Sequence, residues 1–155
     1  MLELYSAPLR RLSAAYMPEL SDRQDLFQEI ALALWTSFPS FRAEASERTW
    51  VYRVAHNVAL TCSAKRRRQQ RTEEVMEPAI HDPAPPQDVR RLALLNSVQQ
   101  LEPVDRQLIV LHLEGLTARE IEEVTGMTAN NIGVRLTRIR RKLASALTTS
   151  EGSAK

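Results

Sequence analysis

Four arginines and a lysine fall within eight positions, Arg135 to Lys142, and alternate with apolar residues at helical spacing. An arginine fork can bond guanine O6 and N7 together, and the same cation can neutralise phosphate. Just upstream, Asn130 and Asn131 carry the amide pair that suits adenine. A second cationic run, Lys65 to Arg71, stands far away in the chain. A third cluster offers different chemistry: Phe41, Arg42, Arg48, Trp50, Tyr52, Arg53, His56 and Asn57 set aromatic rings beside cations and amides. Rings of that kind stack unpaired bases while the cations hold a single-stranded backbone. The elements that carry these residues decide whether they act on a partner or only face solvent.

Charge is strongly segregated. The formal net charge is +2, yet residues 65–71 carry +5 and residues 128–155 another +5. Residues 1–64, 72–91 and 92–127 sum to −1, −3 and −4. Two compact basic zones on a neutral or acidic chain point to a polyanion touched at two places. With 43% apolar and 5% aromatic residues and only four glycines, the composition suits a small soluble helical protein. No apolar stretch nears the roughly 20 residues that span a bilayer, so no membrane insertion is expected. The opening "MLELYSAPLRRL" lacks a signal peptide's apolar segment, and Cys62 has no cysteine to pair with. Both features point to a cytoplasmic location.

The chain reads as all-α, with two small helical domains and a flexible Pro-rich linker. Four prolines within nine positions, Pro78 to Pro86, mark that linker. The expected division is 1–65, a linker 66–91, and 92–150. In the first part, a short helix follows Pro8, and "SDRQ" from Ser21 has capping-box spacing. Phe27, Ile30, Ala31, Leu34 and Phe38 then form one apolar face. A third helix from about Ser46 buries Val51, Val54, Ala55 and Val58, leaving Thr49, Tyr52, Arg53, His56 and Asn57 on a polar face. In the second part, Leu92, Leu95, Val98 and Leu101 line a helix that stops at Pro103, and another runs from about Val104 to Leu113. A short helix Ala118 to Thr125, a turn at Gly126 and a helix capped by Thr128 complete a helix-turn-helix. Its second helix turns Ile132, Leu136, Ile139 and Leu143 inward.

In such a unit the second helix enters the major groove. Asn130, Asn131, Val134, Thr137 and Arg138 then project toward base edges, while Arg135 and Arg141 flank toward phosphates. Arg140 and Lys142 suit a solvated face equally well. Trp50 borders the buried face of its helix, so it reads either as core or as a stacking platform. Lys65 to Arg71 reads either as a backbone contact or as a solvated helix end.

The stretch "DLFQEIALALWTSFPSFRAEASERTWVYRVAHNVAL" resembles the core-binding and promoter −10 module of bacterial RNA polymerase sigma factors. "LEPVDRQLIVLHLEGLTAREIEEVTGMTANNIGVRLTRIRRKL" resembles their −35-reading module. The closest likeness is to the extracytoplasmic-function group of the sigma-70 family. That resemblance implies a helix with Asp25, Leu26, Gln28, Glu29 and Trp35 that docks on the clamp helices of the polymerase β′ subunit. It implies that Phe41 to Trp50, with Arg42, Ser46 and Arg48, captures a flipped base, a step whose unstacking cost a pocket must offset. Thr49 to Asn57 would hold the melted strand, and Thr128 with the face from Asn130 to Arg141 would read the −35 duplex. The implied partners are core RNA polymerase, through its β′ clamp helices and β flap, promoter DNA, and an anti-sigma factor. No cofactor or metal is implied, because polymerase carries the chemistry. Where the family often has Gly-Glu-Ser-Ser, this chain reads Ala43-Glu44-Ala45-Ser46. Gly133 stands where a lysine or arginine is common, and Glu122 replaces a small residue.

Two other classes compete. A stand-alone helix-turn-helix regulator accounts for Asn130 to Arg138 but leaves the Asp25–Trp35 face and the aromatic cluster without a task. An enzyme finds little support: His56, Cys62, His81 and His112 do not pair at ligand spacing, and no phosphate loop or nucleophile elbow is present.

Overall fold

A computed structural model describes residues 1–72 and 86–152, and all described regular structure is helical. Helix α1 spans Leu2–Tyr16, α2 Leu20–Ser37 and α3 Glu47–Thr72, with a 3₁₀ turn at Phe38–Ser40. Helices α4 Pro86–Gln99, α5 Pro103–Leu113, α6 Ala118–Thr125 and α7 Ala129–Gly152 follow. Residues 73–85, half of the expected linker 66–91, lie outside the described residues.

Burial overrides local signals in the first three helices. Proline at position 8 was expected to start a helix, yet α1 runs through it from Leu2. The missing hydrogen bond is offset because Leu9 and Leu12 become fully buried. Ser21 does not cap α2; Glu19 takes that position with no side-chain bond, which moves "SDRQ" inside the helix. Ser46 does cap α3, its Oγ accepting from the Thr49 amide at 3.1 Å. The expected linker start at 66 is corrected by α3, which continues through Thr72 and carries Lys65 to Arg71 on its last turns.

The second half follows its sequence pattern more closely. Val98 and Leu101 are buried, although Leu92 is exposed and Leu94 packs on the core instead. Pro103 occupies the first turn of α5, where its absent N–H costs nothing. Thr117 and Glu120 complete a reciprocal capping box on α6, and Gly126 ends it in the left-handed region at φ 76°. Ile132, Leu136, Ile139 and Leu143 all face inward. Glu122 is exposed, so the charge at that position meets water and not a packed neighbour.

The two halves share one continuous core. Helix α1 packs on α4 and α5, and α3 packs on α5 and α6. Helix α3 is therefore enclosed by α1 and α2 on one side and by the second half on the other.

Candidate nucleic-acid interface

Helix α7 presents an exposed polar face. Asn130, Asn131, Val134, Thr137, Arg138 and Arg141 are all exposed, and Thr128 caps the helix by accepting from the Asn131 amide at 3.4 Å. Arg135 is only half-exposed, because its Nη1 donates to Asp105 Oδ1 at 2.8 Å. Arg138 reaches the other oxygen of the same carboxylate at 3.6 Å while staying largely in solvent. Asp105 sits buried on α5, so one carboxylate orients both arginines and ties α7 to the scaffold. Sequence reading assigned the arginines outward and overlooked Asp105, which stands beside Arg106 and Gln107 with no local sign of its burial. Arg140 lies 2.6 Å from His112 Nε2, and burial together with that cation lowers the histidine's pKa. A side chain at Gly133 would meet open space, so its absence leaves a gap in the face.

The aromatic cluster forms in three dimensions. Phe41 and Trp50 have ring centroids 5.1 Å apart, and Phe38 stacks on Phe41 at 6.5 Å. Phe38 was expected in the core, yet the turn after α2 exposes it. Trp50 is half-buried, its ring resting on the core while also lining a cavity of about 440 Å³. Phe41, Arg42, Arg53 and Glu44 share that lining, and so does Glu123 from α6. Ala43, at the tip, adopts φ 55°, a conformation that costs an L-residue about 1–2 kcal/mol. A glycine there would adopt it freely.

Three of the expected strand-contacting residues do not face outward. Thr49, Tyr52 and His56 are buried, because α3 is packed on more than one side. The Thr49 hydroxyl accepts from Ser46 Oγ at 2.9 Å. His56 Nδ1 lies 3.0 Å from Tyr16 Oη, and burial pushes its pKa down to about 3, so the ring is neutral. Tyr52 donates to Glu114 at 3.4 Å, and burial with that carboxylate nearby raises its pKa to about 12. Arg48 is half-exposed, Arg53 likewise, while Ser46 and Asn57 are exposed.

On α2, Asp25, Gln28, Glu29 and Trp35 are exposed, with Trp35 at 74%. Leu26 is a correction: at 2% exposure it belongs to the core and presents no side chain to a partner. Sequence reading missed Leu32 and Phe38, which with Trp35 form an exposed apolar stripe at steps of three. That spacing was visible in the sequence, but Phe38 also completed the expected buried face of Phe27, Ile30, Ala31 and Leu34. Among the described residues no cluster of His, Cys, Asp and Glu could hold a metal ion, and no helix is long and apolar enough to cross a membrane.

Residues 1–72 match sigma-70 region 2, and residues 91–143 match sigma-70 region 4. The chain belongs to the sigma-70 family. It is of the extracytoplasmic-function type, and the aromatic cavity thus falls in region 2 and the exposed helix face in region 4. It is similar to the ECF RNA polymerase sigma factor SigG of Mycobacterium tuberculosis, at 29% identity over 154 aligned residues. That alignment covers 80% of this chain and 41% of SigG, so the chain spans well under half of that relative. The RNA polymerase sigma factor YlaC of Bacillus subtilis is 27% identical over 140 residues, covering 84% of this chain and 80% of YlaC.

Two solved structures share the fold. The sigma factor RpoE, in complex with the anti-sigma factor NepR from Bartonella quintana, superposes with a TM-score of 0.78 at 21% identity. That match covers 95% of this chain and 94% of RpoE. CnrH, in complex with the cytosolic domain of CnrY, gives 0.70 at 19% identity, covering 96% and 85%.

Proposed function

We propose that this chain is an alternative sigma factor: it binds core RNA polymerase and directs promoter-specific initiation by reading −35 and −10 elements. The observation that carries this reading is the coexistence of two unlike nucleic-acid surfaces in one chain. A groove-reading helix suits duplex DNA, whereas an aromatic cavity rimmed by arginines suits an extruded base. A regulator that binds only duplex DNA has no use for the second.

In this reading Asn130, Asn131, Val134, Thr137 and Arg138 meet base edges, and Arg135 and Arg141 meet phosphates. Phe41, Arg42, Ser46 and Trp50 take the flipped base, and Arg48, Arg53 and Asn57 hold the strand beside it. Asp25, Gln28, Glu29 and Trp35 dock on polymerase, joined by Leu32 and Phe38. Polymerase carries the phosphoryl transfer, and the chain itself is no enzyme. It acts in the cytoplasm, restrained by an anti-sigma factor until a signal arrives. Support for such a partner comes from RpoE, solved in complex with the anti-sigma factor NepR.

Run-off transcription with purified core polymerase on a pool of genomic promoters tests the proposal. New transcripts that depend on the protein are expected. Absence of transcripts, with tight binding of the protein alone to duplex DNA, would establish a stand-alone regulator instead.

A further inference from the structure

An apolar recess interrupts the polar face of α7. Gly133 and Val134 are exposed, and so is Thr137 one turn further on. Val134 is 64% exposed, the one large apolar side chain that the described residues of α7 leave in solvent. Thr137 Oγ1 donates to the Gly133 carbonyl at 3.0 Å. The helix thus engages the hydroxyl proton, and Thr137 offers a partner its methyl group. Asn130 lies one turn before this patch, and Arg138 and Arg141 lie one turn after it, all three exposed.

Nothing in the fold calls for glycine at 133. The residue sits inside α7 without a positive φ, and a Cβ built there would meet no atom within 4 Å. Glycine weakens a helix interior relative to alanine, so the position sacrifices stability with no packing reason. What glycine does provide is external: without a side chain, the helix backbone can come closer to a partner.

Resting on the sigma-factor reading, we infer that Gly133, Val134 and the Thr137 methyl form a subsite for the C5-methyl group of one thymine in the −35 duplex. That methyl is the one apolar group among the base-edge features of the major groove; the others are hydrogen-bond donors and acceptors. An apolar recess on a groove-facing helix therefore matches thymine and no other base. Its rim fits the same partner, since Asn130 suits an adenine edge, Arg138 a guanine edge and Arg141 a phosphate. A lysine or arginine at 133 would reach phosphate and add affinity regardless of sequence. The recess adds discrimination instead.

The test uses holoenzyme assembled from the full chain and core polymerase, on the strongest run-off promoter. Each thymine of the −35 element, on either strand, is replaced in turn by 2′-deoxyuridine, which deletes the methyl group and nothing else. One position is expected at which this replacement weakens promoter binding roughly fourfold, the effect of one buried methyl group. Two variants then locate the contact. Gly133→Ala should raise the melting temperature of the free chain and yet weaken binding to the thymine promoter, because its methyl group occupies the recess. A purely structural role for Gly133 would not give those opposite signs. Val134→Ser should leave the melting temperature unchanged and bring the thymine and uracil promoters to equal affinity. Binding indifferent to every uracil replacement would overturn the inference, as would a methyl preference that both variants keep in full; in either case run-off transcription by the parent leaves the sigma-factor reading standing. No transcript from the parent on any promoter would remove that reading, and the subsite with it.

Discussion

Asp105 and Arg135 join the scaffold to the recognition helix: a buried carboxylate on α5 receives a guanidinium from α7 at 2.8 Å. The pair spans 30 residues of sequence and fixes the rotation of α7 about its own axis. Asn130, Val134 and Arg138 lie on the face that this rotation turns outward.

Asp105→Asn removes the charge and leaves a buried amide beside a cation. A loss of about 1–3 kcal/mol in unfolding free energy is expected, with weaker −35 binding. Arg135→Ala should cost less, because Arg135 is partly solvated. The double variant should cost less than the two losses added, since both act on one contact. Urea unfolding of the three variants checks this, and strict additivity would argue that the pair is not coupled.

Ala43→Gly relieves a left-handed residue. The φ of 55° strains an L-residue, so glycine there should raise stability by up to about 1 kcal/mol, net of its greater freedom when unfolded. Thermal unfolding gives the sign directly. A drop in melting temperature would mean that the loop adopts another conformation in solution.

His56 makes stability depend on pH in a defined direction. Its pKa falls from 6.5 to about 3 on folding because burial penalises the imidazolium. Below about pH 6.5 the unfolded chain takes up a proton that the folded chain refuses. The stabilisation therefore stands in full above that pH and declines by about 1.4 kcal/mol per unit down to about pH 3. Unfolding at about pH 7.5 and about pH 5 should show a smaller acid loss for His56→Gln than for the parent, by about 2 kcal/mol. Equal losses would place the ring in contact with water.

Two leucine-rich turns of α2 separate a structural residue from an interaction residue. Leu26→Ala, fully inside, should cost about 2–5 kcal/mol of stability. Trp35→Ala, exposed, should leave the melting temperature nearly unchanged yet weaken polymerase binding by roughly tenfold or more, as loss of an aromatic anchor does. Affinity for core polymerase measured by fluorescence anisotropy distinguishes them. Undiminished binding by the Trp35 variant would move the docking face elsewhere.

Arg138→Ala and Trp50→Ala divide promoter recognition between the halves. The first should weaken −35-dependent transcription, with a loss of about 1–3 kcal/mol in discrimination at one base pair. The second should spare −35 binding and impair strand opening, read by permanganate reactivity of unpaired thymines. Normal opening by the Trp50 variant would sink the base-capture role.

Much of the second half was legible in the sequence, because its elements are specified locally. The Thr117–Glu120 capping box, the left-handed Gly126 and the inward step of Ile132, Leu136, Ile139 and Leu143 depend on neighbours within a few residues. The paired sigma-like motifs, too, were open to view along the chain. Tertiary structure alone decided which faces are free. Helix α3 carries Thr49, Tyr52 and His56 on what looks like a polar face, yet a helix packed on two sides buries more than one stripe. Phe38 left the core for the opposite reason, since the chain turns away just where the apolar period would continue. Asp105 with Arg135, and Glu114 with Arg11, belong to distant parts of the sequence; no period or spacing announces them, because only packed helices bring their charges together.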